Sequence, residues 1–153
     1  MPSNPIHAEP VALVTGGARR IGATIVRALH GAGMKVVVHY RTSEVAAQAL
    51  EAELENTRAD SVLLVSGDLC DVTTPVSLIQ TATRHFGRLD LLVNNASSFY
   101  PTPLRKPSAA QFDDLIGTNF KAPYFLAQAA TKALTSAEGA IINIADLYAD
   151  RPM

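Results

Sequence analysis

Five short apolar runs, each separated from the next by a longer stretch of helical spacing, constrain this chain more than any other feature. The runs are 11–15 (VALVT), 35–40 (KVVVHY), 61–66 (SVLLVS), 90–94 (DLLVN) and 140–145 (AIINIA). They are rich in Val, Ile and Leu and uninterrupted rather than alternating, which is how strands covered on both faces of a parallel sheet read. Between the second and third runs, Ala46, Ala49, Leu50 and Leu54 fall on one helical face. Before the fifth, Phe112, Leu115, Ile116 and Phe120 open another. Repeated βαβ units of this kind predict an α/β fold, a doubly wound parallel sheet of Rossmann type with about five strands and four helices. Pro123 falls inside the fourth helical stretch and predicts a kink or a fresh start, because proline cannot donate to the preceding turn. Pro101, Pro103 and Pro107 crowd the segment after the fourth run and mark it as a long exposed loop.

Composition narrows the function classes. The 153 residues, 48% hydrophobic and 18% charged, suffice for one domain with a core and exclude a disordered tail. Thirteen basic against fourteen acidic residues leave no basic footprint for nucleic acid, so none is expected as a partner. A single cysteine, Cys70, forms no internal disulfide and no cysteine-rich zinc site, and no metal is expected. No apolar run approaches the length needed to span a bilayer, and residues 1–10 lack the features of a signal peptide. The expectation is a cytoplasmic globular protein with no membrane partner, residues 1–10 forming a flexible segment ahead of a domain over 11–153.

Three junctions carry candidate chemistry. The first reads Thr15-Gly16-Gly17-Ala18-Arg19-Arg20-Ile21-Gly22, directly after a strand and opening a helix. Gly16 and Gly17 suit a backbone that approaches a pyrophosphate, Gly22 lets the helix pack closely, and the helix N-terminus faces the anion. The second, His39-Tyr40-Arg41-Thr42-Ser43, ends the second strand where an acid would select NAD. It offers an arginine and two hydroxyls instead, with Arg19 nearby, and guanidinium forks suit a 2′-phosphate, so NADPH/NADP+ is the expected cofactor. The third, Gly67-Asp68-Leu69-Cys70-Asp71, places Asp68 to accept from an adenine amino group and Leu69 against the ring. Asp71, Thr73 and Thr74 compete to cap the next helix, and Cys70 reads as a small packed hydrophobe.

With that glycine turn, the run Asn94-Asn95-Ala96-Ser97 and Asn119, the chain resembles the short-chain dehydrogenase/reductase family. It departs from that family's usual pattern at three places. Arg20 stands for the middle glycine of T-G-x-x-x-G-x-G, Ser97 for the glycine of N-N-A-G, and Asp146 for the serine after the fifth strand. The three departures occur together in the pteridine reductase subgroup. Asn94-Asn95-Ala96-Ser97-Ser98-Phe99-Tyr100-Pro101-Thr102-Pro103 is similar to that subgroup's substrate loop, and Ala122-Pro123-Tyr124-Phe125-Leu126 to its fourth helix.

The resemblance implies NADPH-dependent reduction of a pterin or folate by hydride transfer. Gly16, Arg19, Arg20, Ile21, His39, Tyr40, Arg41, Thr42, Ser43, Asp68, Leu69, Asn95, Ala96 and Ser97 would hold the cofactor, with Asn94 beside them. Arg20, Ser97, Phe99 and Asp146 would hold the substrate, Phe99 by stacking on it. Asp146 and Asn119 would serve catalysis through a proton relay. It also implies a homo-oligomer, a dimer or tetramer, at full length. The family's Tyr-x-x-x-Lys pair is expected about a dozen residues past Asp146, and Tyr148 is too close to replace its tyrosine. The chain is therefore read as the N-terminal portion of such a reductase, lacking the last crossover units, with negligible activity alone. An unpaired edge on the fifth strand and a bare face around Tyr124 and Ala127 would follow. A general carbonyl reductase, a non-catalytic NADP-binding or oligomerisation module, and a flavodoxin-like protein are the competing readings.

Overall fold

The computed structural model describes residues 9–146. Most of the N-terminal segment expected to be flexible, together with Tyr148, lies outside the described residues. The sheet has five parallel strands: β1 (Val11–Val14), β2 (Lys35–Tyr40), β3 (Val62–Ser66), β4 (Leu91–Asn94) and β5 (Ala140–Asn143). Their order is β3-β2-β1-β4-β5. The chain thus winds outward from β1 in one direction, then returns to β1's other side and continues in the opposite one. Helices α1 (Arg20–Gly31), α2 (Glu44–Glu55), α3 (Thr74–Phe86), α4 (Ala109–Ile116) and α5 (Ala122–Ala137) make the connections. This is the doubly wound α/β architecture predicted from the apolar runs.

Alternation along the central strands feeds two cores. Val11 and Leu13 of β1, Val37 of β2 and Leu92 of β4 pack with Leu78, Ile79 and Ala82 of α3 and Leu126, Ala130 and Leu134 of α5. Val14, Val36, Val38 and Val93 face the other way, onto Ala23 and Val26 of α1 and Ala47, Leu50 and Leu54 of α2. Burial on both faces explains why these strands are apolar without a two-residue period. On α2 the covered face is centred on Ala47 rather than Ala49, which is exposed.

The fourth helical stretch departs most from expectation. It is divided by a π-helical turn, Gly117–Lys121, in which the N–H of Ala122 reaches back to the carbonyl of Gly117. Pro123 falls in the first turn of α5 and has no N–H to offer the carbonyl of Asn119. The apolar face opened by Phe112, Leu115, Ile116 and Phe120 is real as a pattern, yet none of α4 is buried. Phe112, Ile116, Phe120 and Tyr124 all lie exposed. The isoleucines of β5 are likewise half open to solvent.

Candidate functional site

Because the winding reverses between β1 and β4, their connecting segments part at the carboxyl ends and leave a crevice, the place where open α/β sheets receive ligands. Thr15 secures its floor. Its hydroxyl donates to the carbonyl of Val93 (3.3 Å) and accepts the N–H groups of Asn95 and Ala96, both at 3.0 Å. Asn95 answers from the β4 side, donating through Nδ2 to the carbonyls of Thr15 (2.9 Å) and Gly16 (3.1 Å). Neither contact was legible in the residue pattern, although the threonine directly before a glycine turn was a usable signal.

The glycine turn fits tightly against this floor. Gly16 is left-handed (φ +60°), and a Cβ there would stand 3.0 Å from Cα of Ala96. At Gly22 a Cβ would lie 2.1 Å from the carbonyl oxygen of Gly16. Arg20, in the position where the family usually has glycine, also adopts a positive φ of 50°. Helix α1 begins with no side-chain cap and no acidic residue in its first turn, leaving its N-terminal N–H groups available to an anion.

Two adjoining cavities open here. The first, of about 400 Å³, is lined by Gly16, Arg19, Arg20, Ile21, His39, Arg41, Asp68 and Leu69 and by the 95–98 segment. Three guanidinium groups and uncapped helix donors make it a fit for a polyanion such as a pyrophosphate. Arg41 and Asp68 face each other at 3.9 Å, an exposed and hence weak pair. The Asp68 carboxylate also accepts the N–H of Cys70 at 2.9 Å. Tyr40, Thr42 and Ser43 do not line this cavity. The Tyr40 side chain packs on the α1–α2 core, and Ser43 precedes α2 without capping it. Asp71 accepts the N–H of Thr74, the first residue of α3, through its backbone carbonyl (3.2 Å), while its carboxylate folds onto the N–H and hydroxyl of Thr73 (2.9 and 2.8 Å), which hold its pKa below the usual carboxylate range. Cys70 is half-buried, with Sγ 3.3 Å from the hydroxyl of Thr118.

The second cavity, of about 740 Å³, is walled by the same 95–98 segment, by Phe99, Asn119, Phe120 and Tyr124, and by β5 with Asp146 beyond it. Ser97 lines both cavities, whereas Arg20 lines only the first. Phe99 is 83% exposed, its ring free to meet a ligand. The loop that carries it is anchored at Ser98 and at Tyr100, the Ser98 hydroxyl donating to that of Thr118 at 3.3 Å. Asn119, within the π-helical turn, accepts the N–H of Ser98 (3.0 Å) and donates to its carbonyl (2.8 Å). Tyr100 donates its hydroxyl hydrogen to Asp114 (3.0 Å), with the Gln111 carbonyl at 3.2 Å, and desolvation followed by the Asp114 carboxylate pushes its pKa up. At the floor, Asn94 donates to Oδ1 of Asn143 at 2.8 Å.

Residues 10–153 match the model of the short chain dehydrogenase family. The chain belongs to that family. It is similar to pteridine reductase 1 of Leishmania tarentolae, 37% identical over 94% of this chain and 63% of the relative. That alignment runs to 182 residues, longer than this chain, so the relative carries inserted sequence. Bovine L-fucose dehydrogenase (Bos taurus) is 39% identical over 92% of the chain and 50% of its own length. The 3-oxoacyl-acyl-carrier-protein reductase of Staphylococcus aureus is 34% identical over 89% and 55%. The chain thus spans between half and two thirds of the length of these three relatives. No helix among its described residues is long and apolar enough to cross a membrane.

Proposed function

We propose that this chain supplies the cofactor-binding half and one substrate wall of an NADPH-dependent pterin reductase. The observation that carries the reading is the shared wall. One short segment, 95–98, lines a cavity rich in guanidinium groups and a larger cavity edged by Phe99 and Asp146. A dinucleotide laid across the first cavity would therefore end where the second begins. Bound there, the nicotinamide supplies the hydride.

The chain's own residues bind and orient. Arg19, Arg20 and the start of α1 hold the pyrophosphate, and Arg41 turns from Asp68 toward a 2′-phosphate. Asp68 and Leu69 take the adenine. Phe99 offers a face to a flat heteroaromatic ring, an arrangement worth about 0.5–1.5 kcal/mol beyond area burial. Ser97 and Asp146 provide hydrogen bonds at the ring's edge, and Asn119 holds the loop that presents Ser97 and Phe99. The similarity to pteridine reductase 1 supports this assignment. The proton donor and the remaining walls belong to sequence outside 9–146. A homo-oligomer formed over the exposed faces of α4 and α5, in the cytoplasm, goes with the same reading.

Titration with NADP+ and NAD+, followed by assay of the full-length reductase with a pterin and with a simple ketone, tests it. Tighter binding of NADP+, lost in Arg41→Ala, and turnover of the pterin are expected. Equal affinity for the two dinucleotides rejects the 2′-phosphate assignment. Turnover of the ketone alone favours the second reading, a carbonyl reductase, to which the equally close L-fucose dehydrogenase lends weight.

A further inference from the structure

The ends of β1, β2 and β3 meet at one side chain. His39, next to last in β2, is only 2% exposed. Its Nδ1 accepts the N–H of Gly16 at 3.3 Å, and its Nε2 lies 3.0 Å from the carbonyl oxygen of Gly67. A carbonyl only accepts, so Nε2 carries the hydrogen and Nδ1 the lone pair, a neutral ring in one defined tautomer. The same residue's backbone carbonyl accepts the N–H of Gly17 at 2.9 Å, and that of Tyr40 accepts the N–H of Gly67 at 3.0 Å. Both ring nitrogens are thus committed to backbone, and their polar influence on a ligand passes through Gly16 and Gly67, which line the same cavity.

We infer that His39 is a positioning residue whose neutral imidazole holds the glycine turn at a fixed distance from Gly67 and so shapes the first cavity. The inference rests on the dinucleotide reading given above for that cavity. Protonation would place a hydrogen on Nδ1 directly against the Gly16 N–H, replacing a hydrogen bond with two opposed donors. Burial, the largest influence, keeps the ring's pKa below its ordinary 6.5, against the Gly67 hydrogen bond and the Asp68 carboxylate, which favour the cation. Asp68 faces the cavity from the segment after β3, Arg19 and Arg20 from the β1–α1 turn, and Arg41 from beyond β2.

Three variants separate the two bonds. His39→Asn keeps an acceptor at the Nδ1 position and does not titrate, His39→Gln keeps a donor at the Nε2 position, and His39→Leu keeps neither. NADP+ affinity is measured by calorimetry at about pH 8 and about pH 5.5, on either side of an ordinary histidine pKa. At the higher pH, H39N is expected to fall between wild type and the other two, because it keeps the Gly16 bond and loses the Gly67 one, with H39Q and H39L weaker than wild type by about tenfold or more, the cost of an unmade buried hydrogen bond. On acidification the ratio of H39N to wild-type affinity is expected to rise, by less than about tenfold because burial holds the ring's pKa below 6.5. Wild-type affinity in H39Q, or a ratio that falls on acidification, overturns the inference. Absence of NADP+ binding by wild type at either pH refutes the dinucleotide reading instead. The inference is then decided by hydrogen exchange at the Gly16 amide, which should be protected in wild type and H39N and fast in H39Q. Equal protection in all three overturns it.

Discussion

Replacing Arg20 by glycine is expected to make the protein more stable and a poorer binder at the same time. Arg20 adopts φ 50° as the first residue of α1, a region in which a side chain's Cβ crowds the following carbonyl. That conformation costs about 1–2 kcal/mol in an L-residue and nothing in glycine. Against this, glycine's looser unfolded chain returns about 0.4–1 kcal/mol. The net gain is about 1 kcal/mol, which for a domain of this size raises Tm by about 2–4 °C. The same substitution removes a guanidinium from the wall of the first cavity. A charge-assisted hydrogen bond lost to a phosphate is worth about 1.5 kcal/mol or more, so NADP+ should bind about tenfold more weakly. Differential scanning calorimetry and titration read the two effects on the same sample. Arg20→Asn, which tolerates positive φ, should fall between wild type and R20G in stability and bind as weakly as R20G. A fall in Tm for R20G would refute the strain argument, and unchanged affinity would refute the placement of the guanidinium at a phosphate. Both effects together would show backbone strain retained for the sake of a ligand contact.

Further outcomes are equally specific. Gly22→Ala drives a methyl group onto the Gly16 carbonyl and should lower stability by about 1–3 kcal/mol while abolishing NADP+ binding; thermal melts and titration check it, and a tolerated alanine would contradict the packing. Asn119→Ala should free both backbone groups of Ser98, seen as faster amide exchange at Ser98 with a loss of about 1 kcal/mol or less, since the site is exposed. Stability should also fall in mild acid. His39 and His30 are each held below 6.5, in both cases mainly by burial, so the unfolded chain takes up protons first as the pH drops. Their contribution is present above about pH 6.5 and is lost as the pH falls through the folded values, and a urea midpoint that stays level from about pH 7 to about pH 5 would contradict this.

Much of the architecture was legible because buried parallel strands announce themselves. The second run matches β2 end to end, and the others differ from the observed strands by one or two residues at their ends. The glycine turn was legible for a similar reason, since Gly16 and Gly22 sit where a Cβ would strike backbone. What escaped was relational. Periodicity shows that Phe112, Ile116 and Phe120 share a face, but it is silent on whether anything covers that face. Composition places Tyr40, Thr42 and Ser43 beside Arg41, yet the end of β2 sends Tyr40 into the α1–α2 core. His39 read as one more residue near a ligand, because a side chain clamped between two glycine backbones leaves no local signature. The π-helical turn was hidden as well: Pro123 announces a disturbance without specifying its form.

That turn counts residues. An α-helix advances by about 100° per residue, and a π-helical turn holds one residue more than an α-helical one. Without the surplus, α4 would be rotated by about a quarter turn relative to the buried stripe of Leu126, Ala130 and Leu134. Asn119 would swing away from Ser98, and the Gln111–Asp114 surface would leave the Tyr100 hydroxyl. The two helices are therefore phased separately, one to the sheet and one to the loop, with a five-residue gear between them. Changes of length between Gly117 and Lys121 would propagate as rotation rather than as disorder, reaching the loop before they reached the core.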